Sequence, residues 1–130
     1  MANTGDKIIL RRFDDMHLHL RDGQLLIEVL SFTVQYAGRA TIMPNLRPQA
    51  ILNAEDVMRY RDEILRALDG IPHHQTFEPL MAIEIRDSTT PKMIDKAFQA
   101  GALAGKVYPF GVTTNSDEGL RDFSGKKISE

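Results

Sequence analysis

Two spacings of apolar residues alternate along this chain, one typical of β-strands and the other of amphipathic helices. Residues 16–20 alternate between apolar and polar side chains, which predicts a strand, whereas residues 8–12 fit a strand only weakly. Residues 24–36 place apolar side chains three and four positions apart, which predicts a helix with one buried face. The remaining predicted elements are a strand over 39–43, a helix from the N-cap Asn53 to about Leu68, a strand over 77–85, a helix from Pro91 to just before Gly101, and a strand over 103–108.

The order of these elements predicts the fold class. Strands and helices alternate, which is typical of an α/β protein with a parallel sheet and right-handed crossovers. No repeat, low-complexity stretch or linker divides residues 1–130, so we expect no internal domain boundary. A polar loop over 110–117 follows the last predicted strand at its carboxyl end, where parallel α/β proteins build their active sites.

Composition and charge exclude several classes of function. The 130 residues are 42% hydrophobic and 26% charged, with a net charge of -2, so nothing favours nucleic acid or an anionic membrane as a partner. Cysteine is absent, so neither a disulfide framework nor a thiolate zinc site can form. The first residues lack the apolar core of a signal peptide, and no run is long enough to span a membrane. We therefore expect a cytoplasmic protein.

The first predicted strand carries the strongest candidate site. Side chains alternate between the two faces of a strand, so His17, His19 and Arg21 share one face. The opposite face is expected to pack against a helix and consists of Met16, Leu18 and Leu20. Two imidazoles at this spacing can bind one metal ion, and the guanidinium that follows can hold a carboxylate. The alternative is a pair of partly buried histidines that make ordinary hydrogen bonds, beside an arginine in solvent.

Two later strands each add one candidate residue. Asn45, at the end of the second strand, is either a turn residue or an amide that hydrogen-bonds a polar ligand. Lys106 lies inside a short apolar strand, where burial would lower its pKa and allow its neutral amine to add carbon dioxide. The resulting carbamate could bridge two metal ions. The alternative is a lysine whose amine reaches solvent.

Two further polar pairs carry less weight. Thr113 and Thr114 place hydroxyls on the loop after the last strand, and by themselves they indicate only a polar loop. His73 and His74 lie in a connection from a helix to a strand, at the opposite end of the sheet from the candidate site. We assign this histidine pair no function.

Taken together, several segments resemble the monofunctional bacterial-type dihydroorotases of the amidohydrolase superfamily. The shared blocks are DDMHLHLRDG at 14–23, MPNL at 43–46, YRDEIL at 60–65, KVYP at 106–109 and TTNS at 113–116. These blocks follow the family's order and separations, and they cover nearly the whole chain.

The resemblance implies a fold and a chemistry. The fold would be the N-terminal half of a (β/α)8 TIM barrel of the metal-dependent amidohydrolase type. The reaction would be the zinc-dependent, reversible cyclisation of N-carbamoyl-L-aspartate to L-dihydroorotate in pyrimidine biosynthesis. By this resemblance His17 and His19 bind the more buried of two zinc ions, and Lys106, as N6-carboxylysine, bridges both ions.

The same resemblance implies the contacts with substrate. Arg21 and Asn45 would hold the substrate carboxylate, while Thr113 and Thr114 would lie on a mobile loop that closes over the substrate. Further histidine ligands and the aspartate that acts as general acid/base would lie beyond Glu130, because the family's chains are more than twice as long. We therefore expect the 130 residues alone to be inactive, and a full-length enzyme to be a homodimer.

Three other interpretations stay open on sequence alone. A hydantoinase- or allantoinase-like cyclic amidase belongs to the same superfamily, although Arg21 together with Asn45 favours a substrate with a carboxylate. A non-catalytic half-barrel fragment would hold no tightly bound zinc. A plain parallel α/β domain with incidental histidines leaves the matching blocks unexplained.

Overall fold

The computed structural model describes residues 9–72 and 76–123, which form alternating strands and helices. The elements are β1 (Phe13–Leu18), α1 (Gly23–Tyr36), β2 (Ala37–Ile42), α2 (Ala54–Asp69), β3 (Glu78–Ile85), α3 (Pro91–Gln99) and β4 (Ala102–Val107). The strands lie in the order β1-β2-β3-β4, and every neighbouring pair is parallel. The predicted α/β class with a parallel sheet is therefore confirmed.

Local sequence explains where two of the helices begin. The Asn53 side chain accepts a hydrogen bond from the Asp56 N–H at 3.0 Å and so caps α2. The Thr90 hydroxyl accepts one from the Met93 N–H at 3.3 Å, and Pro91 opens α3 where no N–H is needed. Both predicted helix starts are confirmed. None of the helices in the described part of the chain is long and apolar enough to cross a membrane.

The hydrophobic core lies between the sheet and the helices. The apolar stripe predicted for α2 is buried along its length, at Val57, Tyr60, Ile64 and Leu68. Ile83 and Ile85 of β3 pack into the same core, whereas Glu84, between them, points to the other face of the sheet. Because each buried Val, Leu or Ile contributes roughly 1.5–3 kcal/mol, this core fixes which residues of each strand face away from the helices.

The first strand begins and ends earlier than predicted. It spans Phe13–Leu18 instead of 16–20, and residues 9–12 form no strand. The reason is the turn into α1, where Arg21 and Gly23 adopt positive φ angles of 66° and 56°. Backbone in this region cannot continue a strand, so His19 follows β1 instead of lying within it.

Two apolar residues that were expected to be buried are exposed. Met16 is 66% exposed, because β1 is an edge strand and its pairing with β2 is irregular between Asp15 and Leu18. Phe98, placed on the apolar face of α3 by its spacing, is 68% exposed. Phe98 lies next to β4, which is the edge strand at the other end of the sheet. Periodicity identifies an apolar face, but the width of the neighbouring layer decides how much of that face is covered.

Candidate active site

One cleft brings together all the site residues proposed from the sequence. The cleft has a volume of about 350 Å³ and lies at the carboxyl ends of the strands. Its lining consists of His17, His19, Arg21, Asn45, Lys106, Val107, Tyr108, Pro109, Thr113 and Thr114. Residues from β1 and β4, the two edge strands, meet here, so the sheet curves around the cleft.

The two histidines present their nitrogens to each other at a distance suited to a shared metal ion. Nε2 of His17 lies 3.2 Å from Nε2 of His19. A zinc–nitrogen bond of about 2.0–2.1 Å places two tetrahedral ligand atoms roughly 3.3 Å apart, so this donor pair fits one zinc ion. Within residues 9–72 and 76–123, no three His, Asp or Glu side chains are placed to hold an ion together. The resemblance to dihydroorotases implies Lys106 as a further ligand, and Lys106 lines the same cleft.

His19 is the histidine whose electrostatic environment is clearly altered. Burial lowers its pKa, the positive charges of Arg21 and His17 lower it further, and the Asn45 side chain acts in the opposite direction. The charge of Lys106 also lowers it. This environment favours the neutral imidazole, which is the form with a lone pair for a metal ion.

Arg21 reaches the cleft from an unusual backbone conformation. Its φ of 66° lies in the left-handed region, which costs a non-glycine residue roughly 1–2 kcal/mol. The hydroxyl of Tyr60, buried on α2, donates a hydrogen bond to the Arg21 carbonyl oxygen and stabilises this conformation. Burial also raises the pKa of Tyr60, so its hydroxyl keeps the proton that it donates. Tyr60 was predicted only as a core residue, because its helical spacing gives no sign of this contact.

Asn45 connects the end of β2 to the loop that carries the two threonines. The Nδ2 group of Asn45 donates to the Thr114 carbonyl oxygen at 3.1 Å, and the Asn115 side chain donates back to the Asn45 carbonyl oxygen at 3.2 Å. Arg47 adds a bond to the Asn115 carbonyl oxygen at 3.1 Å. In this structure the loop is therefore docked against the β2 end of the cleft.

The base of the same loop is closed by the backbone. The Leu120 N–H donates to the Tyr108 carbonyl oxygen at 2.8 Å, and the Phe110 N–H donates to the Leu120 carbonyl oxygen at 3.1 Å. Within the loop, the Ser116 hydroxyl accepts from the Thr113 N–H at 3.0 Å. Nothing in the spacing of these residues indicated that the loop would be anchored at both its tip and its base.

Lys106 and a buried acid stand side by side on neighbouring strands. Glu84 and Lys106 are register partners of β3 and β4, so both face away from the helices. Lys106 is only half-buried, with Nζ 5.6 Å from the centre of the Tyr108 ring, so of the two sequence interpretations the one in which the amine reaches solvent fits better than full burial. Glu84 is fully buried and binds Arg86 at 2.8 Å, and Arg86 also pairs with Glu118 of the loop. The signal that could have identified Glu84 is an acid inside an otherwise apolar strand.

The chain is similar to dihydroorotases in sequence. It is 47% identical over 111 residues to the dihydroorotase of Neisseria meningitidis, a match that covers 85% of this chain and 31% of that protein. It is 44% identical over 122 residues to the dihydroorotase of an Acidovorax species, covering 94% of this chain and 34% of that protein. The chain matches no protein-family profile.

Solved structures of dihydroorotases share the fold. The Campylobacter jejuni dihydroorotase superposes with a TM-score of 0.77 at 34% identity, covering 90% of this chain and 32% of that one. The Saccharomyces cerevisiae dihydroorotase, in complex with 5-fluoroorotic acid, gives a TM-score of 0.74 at 33% identity. This match covers 89% of the chain described here and 31% of the yeast chain. The chain thus spans about a third of the length of these relatives. The resemblance inferred from the sequence blocks is confirmed, and the four strands form a curled half-barrel.

Proposed function

We propose that this chain forms part of the active site of a dihydroorotase, a zinc-dependent cyclic amidohydrolase that interconverts N-carbamoyl-L-aspartate and L-dihydroorotate. The observation that carries the proposal is the convergence of two imidazoles, an arginine, an asparagine, a lysine and two threonine residues in one cleft. This cleft lies where parallel α/β proteins carry their chemistry, in a chain that resembles dihydroorotases over most of its length.

The proposed metal ligands are His17, His19 and Lys106. The 3.2 Å separation of the two histidine Nε2 atoms supports a shared ion, and Lys106 reaches the same cleft from β4. Addition of carbon dioxide to the neutral Lys106 amine would form a nitrogen–carbon bond and release one proton, giving a carbamate able to bridge two zinc ions. The chemistry that bound zinc supplies to such a site is Lewis acidity toward a carbonyl oxygen and acidification of water.

The charge of the cleft supports an anionic substrate. Arg21 and Lys106 bring positive charge, and none of the described residues that line the cleft is acidic. We assign Arg21 to the substrate carboxylate, because its planar fork binds a carboxylate through two parallel hydrogen bonds and so fixes which carbonyl faces the histidines. Asn45 and the hydroxyls of Thr113 and Thr114 line the same cleft and are assigned to the substrate as well.

A chimera tests this function. The matched segment of the Campylobacter jejuni dihydroorotase is replaced by this chain, and hydrolysis of L-dihydroorotate is measured with zinc supplied. We expect measurable hydrolysis that falls by at least about 100-fold in His17→Ala, His19→Ala and Lys106→Met, as expected when a ligand or its support is removed. Met58→Gln, at an exposed position of α2, is the matched control and should keep the activity.

The rates on a second substrate separate the competing interpretations. The second substrate is hydantoin, whose ring carries no carboxylate. A folded chimera that hydrolyses hydantoin faster than dihydroorotate would favour the cyclic-amidase interpretation. A chimera that folds but hydrolyses neither compound would contradict the proposal. Arg21→Gln should reduce the rate on dihydroorotate more than the rate on hydantoin, because only dihydroorotate carries the carboxylate.

A further inference from the structure

Arg86 is enclosed to a degree that is unusual for an arginine. It directly follows β3, and its side chain is only 13% exposed. Its backbone N–H donates to the Thr89 hydroxyl oxygen at 2.9 Å, which stabilises the turn from which the side chain leaves. A charge with so little access to water requires partners of opposite sign. Arg86 has two such partners, which come from different parts of the chain.

The first partner is Glu84, a fully buried residue of β3. Arg86 Nε donates to Glu84 Oε1 at 2.8 Å. The other carboxylate oxygen, Oε2, has no hydrogen-bond partner within residues 9–72 and 76–123, so the buried negative charge depends on this guanidinium. Because β3 pairs with a strand on each side, Glu84 holds Arg86 at a fixed position relative to the sheet.

The second partner is Glu118, which belongs to the loop after β4. Its Oε2 accepts a hydrogen bond from Arg86 Nη1, and its side chain is 60% exposed. One guanidinium therefore joins a fixed carboxylate of the sheet to a carboxylate of the loop. Since Glu84 already orders the Arg86 side chain, little further entropy is lost when the planar guanidinium binds Glu118.

The neighbouring acid of the loop meets its arginine less closely. Asp117 is 87% exposed, and its Oδ2 lies 3.5 Å from the guanidinium of Arg47. Solvent screens a pair of this kind, so it contributes little. Asp117 and Glu118 carry the same charge at adjacent positions, and they differ in the arginine that each one meets. The two acids are therefore a matched pair for an experiment.

We propose that Arg86 is a positioning residue for the loop: held by Glu84, its guanidinium binds Glu118 and keeps the loop that carries Thr113 and Thr114 docked at the carboxyl end of the sheet. The ion pair acts from the β3 side, whereas the hydrogen bonds described above hold the loop from the end of β2. The docking itself goes beyond the proposed function, and only its consequence for substrate rests on that function.

Amide hydrogen exchange tests the proposal in this chain. Glu118→Gln and Asp117→Asn each remove one negative charge from the loop, but only Glu118→Gln removes the partner of Arg86. The amides to follow are Gly111 and Thr113, which are hydrogen-bonded within the loop and do not adjoin the substituted residues. We expect their exchange to be at least about 5-fold faster in Glu118→Gln and to change by less than about 2-fold in Asp117→Asn.

Salt gives a readout that loss of a merely structural side chain would not change. At about 1 M salt the Debye length falls to ~3 Å, which weakens the partly exposed contact between Arg86 and Glu118. Exchange at Gly111 and Thr113 should then become faster in the wild type. It should show no such response in Glu118→Gln, because this variant has already lost the ion pair.

A third variant identifies Arg86 as the residue that acts on Glu118. The double substitution Glu84→Gln/Arg86→Gln removes the buried pair as a whole and so leaves no uncompensated charge in the sheet. Adding Glu118→Gln to this background should leave the exchange at Gly111 and Thr113 unchanged, since the partner of Glu118 is already absent.

Two outcomes would overturn the inference. One is equal exchange at Gly111 and Thr113 in the wild type and Glu118→Gln; the other is an effect of Glu118→Gln that persists in the Glu84→Gln/Arg86→Gln background. Should that background not fold, an equal response to salt in the wild type and Glu118→Gln would be equally decisive. These results leave the proposed dihydroorotase activity standing, because the chimera measures it separately. An inactive chimera, in turn, leaves the exchange result intact.

Discussion

Tyr60 supports the cleft although it does not line it. Its ring is part of the core on α2, and its hydroxyl donates to the carbonyl oxygen of Arg21. The hydrogen bond joins residues 39 positions apart and holds Arg21 in the left-handed region. A core residue thus sets the direction in which the proposed carboxylate-binding arginine leaves the backbone.

Removing this hydroxyl should weaken the fold. Tyr60→Phe keeps the ring but leaves the Arg21 carbonyl without its donor, so we expect the free energy of unfolding to fall by about 1–2 kcal/mol, measured by urea denaturation. Tyr36→Phe removes a hydroxyl from a side chain that is 60% exposed and serves as control, with a change below about 0.5 kcal/mol. Equal stability of the Tyr60 and Tyr36 variants would show that the hydroxyl contributes nothing.

The sequence predicts the position of Tyr60 but not its contact. Helical spacing places the residue on the buried face of α2, and burial is what the structure shows. The hydroxyl meets a backbone atom of a distant turn, and such a contact leaves no periodic signal. The same reason explains why Arg86 and Asn115 were not predicted, since each bonds to a partner on another segment.

The loop after β4 depends on a glycine for its closure. A Cβ at position 119 would overlap the Tyr108 carbonyl oxygen and lie 3.0 Å from the Phe110 nitrogen. Both neighbours are backbone atoms of the loop base, so they cannot move aside as a flexible side chain would. Gly119→Ala should therefore open the base of the loop.

Hydrogen exchange measures this opening. In Gly119→Ala we expect faster amide exchange at Phe110 and Leu120, whose N–H groups form the bonds at the loop base. Gly70→Ala is the matched control, because its Cβ would make only an ordinary contact of 3.6 Å with the Ala67 carbonyl oxygen. Unchanged exchange at both amides would mean that the loop base does not need glycine.

An ion pair joins the first two strands and gives a pH-dependent prediction. Asp14 of β1 and Arg39 of β2 are register partners, and Arg39 Nε lies 3.1 Å from Asp14 Oδ1. The hydrogen bond from Arg39 lowers the pKa of Asp14. A carboxyl with a lowered pKa in the folded state stabilises that state above its unfolded pKa of ~3.9, and the contribution is lost as the pH falls through the folded pKa.

Carbon-detected NMR titration checks the Asp14 pKa. The wild-type carboxyl should titrate below the ordinary aspartate range, and in Arg39→Gln it should return toward that range. Arg11→Gln should have a smaller effect, because the charge of Arg11 is the weakest of the contributions that lower this pKa. A carboxyl that titrates at the same pH in the wild-type and Arg39→Gln chains would contradict the pairing.

The sequence predicted the helices better than the strands, because an N-cap residue or an apolar stripe at helical spacing marks where a helix lies. The N-caps Asn53 and Thr90 fixed the starts of α2 and α3 within one residue. β1 was misplaced because its end depends on the positive φ angles of Arg21 and Gly23, which arise from the packing of the following turn. Short strands carry few residues, so an alternating pattern locates their ends only to within two or three positions, as at the two ends of β1.

The half-barrel exposes the two edges that a closed barrel would bury. β1 and β4 are the edge strands, and large apolar side chains lie exposed beside them, among them Met16, Phe98 and Leu103. The matching sequence blocks implied this architecture, whereas strand periodicity alone could not, because it specifies the faces of a sheet and not its curvature. Curvature is what brings residues of both edges into one cleft.

Zinc uptake by the chain is the decisive measurement for the proposed site. After equilibrium dialysis against zinc, elemental analysis should find zinc bound to the wild type, at no more than one ion per chain, and little in His17→Ala or His19→Ala. His73 and His74, which lie outside the described residues and have no assigned function, provide the control: replacing both with alanine should leave uptake unchanged. Zinc uptake that is absent from the wild type, or is the same in His17→Ala and His19→Ala as in the wild type, would contradict the account.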